Sequence, residues 1–568
     1  MSSTEMSVFV RMYKRILGDC FLLRIEEGGK RAHILIDCGV LQGTKGADRL
    51  MNEVARDIVK TTGGDVDKGI AGKLDLLVVT HEHWDHISGF SLAREIFFDR
   101  TKLEIENIWF AWTESLVDVQ ANALRDRFLK SNRVVAALAK EIAAKRKAEP
   151  VAFTMDSSLA FGNLQEFLGV EAGEPIAFKT SKLKTKQGPR GDRLTGGRIM
   201  TQLAKMAAKP PECLEPGTMK ERTPGPVGLR TYVLGPPRDE DKLFKALAGA
   251  DDEHKHFSAP TFNDDLLFAM AGVPKTDGKA LAGAGPSQAD ERVAQSPFSK
   301  RHRGIREADV RRGPEFSNGT EGDDGAVVRE WLRSRYFDEH PPCRLGPGHH
   351  VGHDCATDMV CRSDQTRKRI DGNWLAAAGQ FAMKLDGDTN NTSLVLAFEL
   401  PDRRVMLFAA DAQVGNWESW ADHEYDGEAL DALLGRVAFY KVGHHGSHNA
   451  TRVETGLKKM NLSNKEPMVA MIPTDEAFAL QQGASGKGWK MPAEVVRTPL
   501  LAKTQGQTLY GDRMWGKLPG SEDPDPNFLP FGKCADFDNR LVQTEDYVEY
   551  RIYGPAPATP EEAGRKPA

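Results

Sequence analysis

Short apolar runs of strand length open the chain. Residues 8–12, 20–25 and 32–36 are rich in β-branched or bulky side chains, and the glycine turns Leu17-Gly18-Asp19 and Glu27-Gly28-Gly29 divide them, which predicts a β-meander. Residues 48–60 suit a helix. The run 74–80 is apolar apart from Asp75, the pattern of a strand covered on both faces. From 114 to 147 the spacing changes: Leu116, Val119, Leu124, Phe128, Val135, Leu138 and Ile142 recur mostly every three to five residues, predicting one long amphipathic helix or two joined ones packed on a core. A basic stretch follows, with Lys179, Lys182, Lys184, Lys186, Arg190, Arg193 and Arg198, before residues 229–235 return to strand character and stop at Pro236-Pro237.

Between about 250 and 370 the periodicity is lost. Glycine, proline, serine and charge dominate there, so the segment buries too little apolar surface to offset ordering, and a long, partly disordered insertion is expected. Order resumes with paired strands at 393–398 and 404–409, a helix near 426–434 and strands at 437–442 and 468–472. The expected layout is a core domain in two halves, 1–112 and 375–554, joined by a core strand at 228–240. A helical and basic insertion (113–227) and an irregular one (241–374) interrupt it, and a loose tail (555–568) ends it.

Composition narrows the function classes. Lys plus Arg total 76 against 81 for Asp plus Glu, so at a net charge of -5 no whole-chain basic field attracts nucleic acid or anionic membrane. Any polyanion must meet a local patch, for which 179–198, 300–312 and 363–369 are the basic runs. No apolar run approaches the ~18–20 residues of a bilayer span, and the first residues lack the pattern of a secretory signal. Seven cysteines, an odd number thinly spread, fit a reducing compartment, so the expectation is a soluble cytoplasmic protein without structural disulfides. Cys343, His349, His350, His353, Cys355 and Cys361 lie close together without paired C-x-x-C spacing; they are either a structural zinc site or ordinary loop residues.

The strongest chemical signal is LLVVTHEHWDHISG, residues 76–89. Side chains two apart on a strand share a face, so His81 and His83 converge; a turn at Trp84 then lets Asp85 and His86 reach the same space from a helix start. Imidazole and carboxylate ligands suit zinc, and two sets of them can hold two ions, with manganese the alternative metal. The spacing excludes the His-Glu-x-x-His helix of zincins.

These residues resemble the HxHxDH signature of the metallo-β-lactamase superfamily, and further matches follow in order. Asp37 in HILIDCG resembles the family's first motif, an Asp that orients the histidine loop without ligating. Asp411 in LFAADAQ stands where the family places the metal-bridging carboxylate. In KVGHHGSHNA the resemblance implies a last histidine ligand: His444 is preferred because it directly follows the strand, His445 is the alternative, and His448 is peripheral. Most members carry another histidine between these motifs; the candidates His254, His256, His302, His340, His349, His350 and His353 all lie in or beside the irregular insertion. The likeness is narrower to the metallo-β-lactamase-like domain of DNA-uptake channel proteins. It rests on Gly18-Asp19-Cys20-Phe21-Leu22-Leu23, on Asn390-Asn391-Thr392-Ser393-Leu394-Val395-Leu396, and on Lys441-Val442-Gly443-His444-His445-Gly446-Ser447. That branch also tends to lack the intermediate histidine.

The resemblance implies an αββα sandwich of two mixed sheets with large insertions and hydrolysis by a metal-activated hydroxide held among His81, His83, Asp85, His86, Asp411 and His444. Ser447, the Gly446 backbone and Lys441 are then candidates to receive a phosphate or carbonyl oxygen, and Asn390 joins the site candidates. The expected substrate is a phosphodiester in nucleic acid or a nucleotide. The rivals are a hydrolase of lactones, thioesters or other acyl compounds and a catalytically silent, metal-stabilised binding module, with the insertions available to a protein partner.

Overall fold

The computed structural model describes residues 6–128, 196–245, 387–482, 488–528 and 535–555. Contacts divide the chain into two units, and the described residues all fall in the one made of Met1–Asn132, Gln165–Ala259 and Ala382–Ala568.

The opening meander forms as its turns predict, with β1 (Ser7–Tyr13), β2 (Phe21–Glu27) and β3 (Lys30–Ile36) pairing antiparallel in succession. The helix Ala47–Thr61 then crosses over. Its return lets β4 (Gly72–Val78) pair in parallel with β3, and β5 (Leu103–Ala111) and the short β6 (Glu212–Leu214) extend the sheet the same way. A second sheet begins with antiparallel neighbours β7 (Met219–Lys220), β8 (Arg230–Gly235), β9 (Val395–Glu399) and β10 (Val405–Phe408). Parallel β11 (Val437–Lys441), β12 (Val469–Ile472) and β13 (Thr508–Tyr510) complete it. The chain finally returns to the first sheet, where β14 (Leu541–Gln543) pairs with β15 (Tyr547–Tyr553) and β15 lies against β1. The orders are β14-β15-β1-β2-β3-β4-β5-β6 and β13-β12-β11-β10-β9-β8-β7, two mixed sheets.

Alternation sorts the side chains into layers. Leu76 and Val78 of β4, Leu396 and Phe398 of β9, and Met406 and Phe408 of β10 enter one core shared by both sheets. The residues between them turn outward: Leu77 meets the helices Ala47–Thr61, Trp84–Leu92 and Gly196–Met206, while Ala397 and Leu407 meet a third cluster with Leu433, Leu434, Val496 and Leu500 from other helices. Each fully buried aliphatic or aromatic side chain contributes roughly 1.5–3 kcal/mol. A one-residue slip would exchange the two faces of a strand, so this double burial fixes register.

Three expectations are corrected. Residues 196–227 do not belong wholly to an insertion: the helix Gly196–Met206 buries Ile199, Met200, Leu203 and Met206, and β6 and β7 extend the two sheets. The basic residues Arg198 and Lys205 on that helix mask its apolar face in the sequence. The stripe from 114 does not start as a helix, because Trp112–Glu114 form a 3-10 turn and helix begins at 119, leaving Leu116 80% and Val119 85% exposed while Leu124 is buried. The pair β14–β15, not anticipated, closes the first sheet. The remainder of the stripe, the basic runs apart from 196–198, the irregular insertion with its Cys343 to Cys361 group, the intermediate-histidine candidates and residues 556–568 lie outside the described residues. Among the described residues no helix is long and apolar enough to cross a membrane.

Candidate metal centre

Five strands end at one edge of the layers and deliver polar groups there: β3 leads to Asp37, β4 to Thr80 and His81, β10 to Asp411, β11 to His444 and His445, and β12 to the Pro473 carbonyl. The carboxyl ends of parallel strands are where α/β sheets place their ligands. Asp85, His86, Asp411 and His445 each bring one ligand atom within 4.8 Å of the others, all four buried, and Asp19, Asp37 and His86 form an overlapping group. The stretch Trp84–Leu92 is helical from the first turn, and this projects Asp85 and His86 inward, as the spacing predicts.

Hydrogen bonds settle which ring nitrogen points where. The Thr80 hydroxyl and backbone N–H both donate to Asp37, at 2.6 and 2.8 Å, and His86 Nδ1 donates to Asp37 Oδ2 at 2.8 Å. His86 Nε2 therefore faces Asp411 Oδ2, 3.1 Å away. His445 Nδ1 donates to the Pro473 carbonyl at 2.7 Å, which turns His445 Nε2 to Asp85 Oδ2 at 2.9 Å. His81 Nδ1 lies 3.1 Å from Thr80 Oγ1 and 3.3 Å from Ser393 Oγ. Because the Thr80 proton is committed to Asp37, that oxygen accepts from His81 and leaves Nε2 with its lone pair. The His81 ring stands 4.1 Å from that of His86 and 4.8 Å from that of His83. His81 Nε2, His86 Nε2 and Asp411 Oδ2 are buried without a hydrogen-bond partner, a costly condition that a cation relieves.

Charge leads the same way. Buried Asp19, Asp37, Asp85 and Asp411 stand against the single ammonium of Lys441, so the remaining balance falls to the imidazoles or to a bound cation. Burial alone lowers the affinity of His86 for a proton, but Asp411, Asp19 and Asp37 pull it well above its ordinary value; His445 rises for the same reason, chiefly through Asp85. Burial works against ionised Asp411 and Asp85 too, yet the neighbouring imidazoles hold both carboxyls below the usual range. His81 goes the other way, kept neutral by burial and then by His86 and His83. The field that draws protons onto His86 and His445 draws a divalent cation equally, and this donor set of imidazoles and carboxylates fits one.

The backbone is strained where the candidate ligands are. Of the nine non-glycine residues with positive φ among those described, Asp37, Ala410, His444 and His445 all belong to this edge. Each costs about 1 kcal/mol or more, and such strain clusters at functional sites. Close approach is bought by glycine: a Cβ on Gly39 would lie 2.2 Å from the Asp85 backbone, and one on Gly18 2.7 Å from the Asp85 carbonyl. The Asp19 N–H donates to Asp85 O at 2.9 Å and the Cys38 N–H to His86 O at 2.8 Å, stitching the strand ends to the histidine helix.

Several expected roles change. His445, second choice in the sequence, occupies the four-group cluster, while His444 sits at the rim with its Nε2 3.9 Å from Asp411 Oδ2 and its backbone N–H donating to Asp411 Oδ1 at 3.1 Å. The two successive left-handed residues turn the second ring inward, which counting from the strand end does not foresee. Lys441 is fully buried beneath the ligands and is not placed to receive a substrate oxygen. Ser447 Oγ donates to Asn449 Oδ1 at 2.7 Å. Asn390 is buried in the turn before β9, and the residue of that turn that reaches the histidines is Ser393. Asp19, Thr80 and Ser393 carry no recognisable ligand spacing; only the position of Asp19 and Ser393 inside the quoted motifs signals them.

No protein-family model matches the chain, and no curated protein is similar to it in sequence.

Proposed function

We propose that this chain is a metal-dependent hydrolase of the metallo-β-lactamase superfamily that holds two divalent cations, zinc or else manganese, and cleaves a phosphodiester in nucleic acid or a nucleotide. The observation carrying the metal half is the pairing of His86 Nε2 with Asp411 Oδ2 and of His445 Nε2 with Asp85 Oδ2 while both Nδ1 atoms are committed elsewhere. Asp85, His86, Asp411 and His445 would hold one cation, and His81 and His83, with Asp411 beside them, would hold the second. Bound cations supply Lewis acidity and bring the pKa of a water ligand toward ~7. The protein's own part is orientation: Asp37 and the Pro473 carbonyl fix two imidazole tautomers, and Thr80 and Ser393 fix a third. His444, 20% exposed at the rim, is the side chain we place beside an oxygen of the substrate. The order of the sheets and the strand-end position of every motif support the superfamily assignment; the three motif matches support the phosphodiester.

The test is a panel of single-stranded DNA, RNA, a bis-p-nitrophenyl phosphate, lactones and thioesters with metal-loaded protein. Phosphodiester cleavage is expected, stopped by a chelator, restored by zinc or manganese and reduced at least ~10³-fold in Asp85→Ala. Turnover of acyl substrates alone would overturn the substrate class, and bound metal without any turnover would leave a binding module.

A further inference from the structure

Lys441 is the one lysine among the described residues seen paired with the carboxylates of this site, and it is buried. Its ammonium forms an ion pair with Asp19, donates to the Ala410 carbonyl at 3.0 Å and stands 3.6 Å from Asp411 Oδ1, with 1% of the side chain exposed. Asp19 and the Ala410 carbonyl thus accept from the ammonium, while Asp411 stands beside it at ion-pair distance. Asp19 is itself buried, with Oδ2 3.8 Å from His86 Nδ1 and Oδ1 3.9 Å from His445 Nδ1, so it borders both imidazoles that face the carboxylates. The consequence falls on Asp411. Its Oδ1 receives the His444 N–H and the attraction of Lys441, whereas Oδ2 has no hydrogen-bond partner and faces His86.

We infer that Asp19 and Lys441 are a positioning pair: the ammonium, anchored by Asp19 and the Ala410 carbonyl, sets its charge beside Oδ1 of Asp411 and, with the His444 N–H bonded to that oxygen, leaves Oδ2 as the one presented to the cations. This rests on the proposed metal centre and adds to it a device for the shared carboxylate. A carboxylate free at both oxygens can swing to offer both; held at Oδ1 by the His444 N–H and the nearby ammonium, Asp411 would offer Oδ2. The competing idea is that Lys441 only neutralises Asp19. A second competitor is that its positive charge, so near the ligands, weakens cation binding. The three differ in sign.

The test measures zinc affinity by competition with a chromogenic chelator and the visible spectrum of the cobalt-substituted protein, in wild type, Lys441→Met and the double variant Asp19→Asn/Lys441→Met. The double variant removes both buried charges together and so avoids leaving one unpaired. Zinc affinity is expected to fall ~10–100-fold in both variants, the range for residues that orient ligands. The cobalt bands should change in intensity as Asp411 alters its grip, while metal-free melting of the double variant stays within a few degrees of wild type. Affinity restored in the double variant would show that the lysine merely balances Asp19 and overturn the inference, as would tighter or unchanged binding in Lys441→Met. A double variant that fails to fold would overturn it by making the pair structural. Wild-type protein that binds no divalent cation would instead sink the proposed function itself, a distinct result.

Discussion

His86 and His445 each present Nε2 to a carboxylate oxygen near 3 Å, but the protein holds them there by different means. His86 lies in the first turn of a regular helix whose start is sewn to the ends of β2 and β3 by backbone hydrogen bonds, and a carboxylate, Asp37, fixes its tautomer. His445 stands on left-handed backbone after β11, its tautomer fixed by a single carbonyl, with Gly446 pressed against Pro492. The first half of the site is built from regular structure and contiguous sequence. The second is built from a strained turn whose direction depends on what packs around it. A helix start transmits its geometry from residue spacing alone; a strained turn needs the surrounding fold to over-determine it.

That contrast can be broken at its stiffest point. In Gly39→Ala the added methyl would meet the Asp85 backbone at 2.2 Å, and backbone cannot step aside as a side chain can. Loss of about 3 kcal/mol or more is expected in chemical denaturation, together with loss of metal affinity, because the strand end and the histidine helix must part. A neutral outcome would show that the two are not in contact.

A smaller effect separates the adjacent histidines. His445→Ala is expected to weaken zinc binding ~100-fold in chelator competition, since it strips one of the four candidate ligands, whereas His444→Ala weakens it less than ~10-fold. Equal losses, or the reverse order, would return His444 to the ligand position.

The smallest predicted effect lies away from the metal centre, in the sheet that supports the first half. His33 on β3 is buried with Nε2 unpartnered, and burial, then Arg24 and Arg31, push its pKa from 6.5 down to about 4. The neutral ring is therefore favoured in the folded state. Its contribution is complete above pH 6.5 and is lost as pH falls toward 4, amounting to about 2 kcal/mol by pH 5 at 1.36 kcal/mol per pH unit. Urea titrations of wild type and His33→Asn should differ in slope across that window, and parallel curves would remove His33 from the account.

Much of this was legible beforehand, and the reason is locality. The meander, the apolar run into His81 and the strands 395–399, 405–408, 437–441 and 469–472 follow from alternation and turn residues, which act over a few positions. The inward direction of Asp85 and His86 follows from helix periodicity, whereas His81 and His83 lie past the end of β4 at Val78, so strand alternation does not account for their approach. The helix Gly196–Met206 escaped because basic residues diluted a short apolar face, and β14–β15 because an edge pair of mixed polarity resembles a loop.

What the chain's order of residues determined by itself is the inventory of candidate ligands and the elements that carry it: local pattern dictates where a strand stops, and a strand's end is where its next side chains are released. Tertiary structure alone decided that His445 turns inward instead of His444, that Lys441 lies beneath the candidate ligands, and that Asp19, Thr80 and Ser393 complete the arrangement. Those outcomes depend on left-handed backbone, on burial and on contacts between residues hundreds of positions apart. No local rule contains them, because the free energy that imposes them belongs to the packed whole.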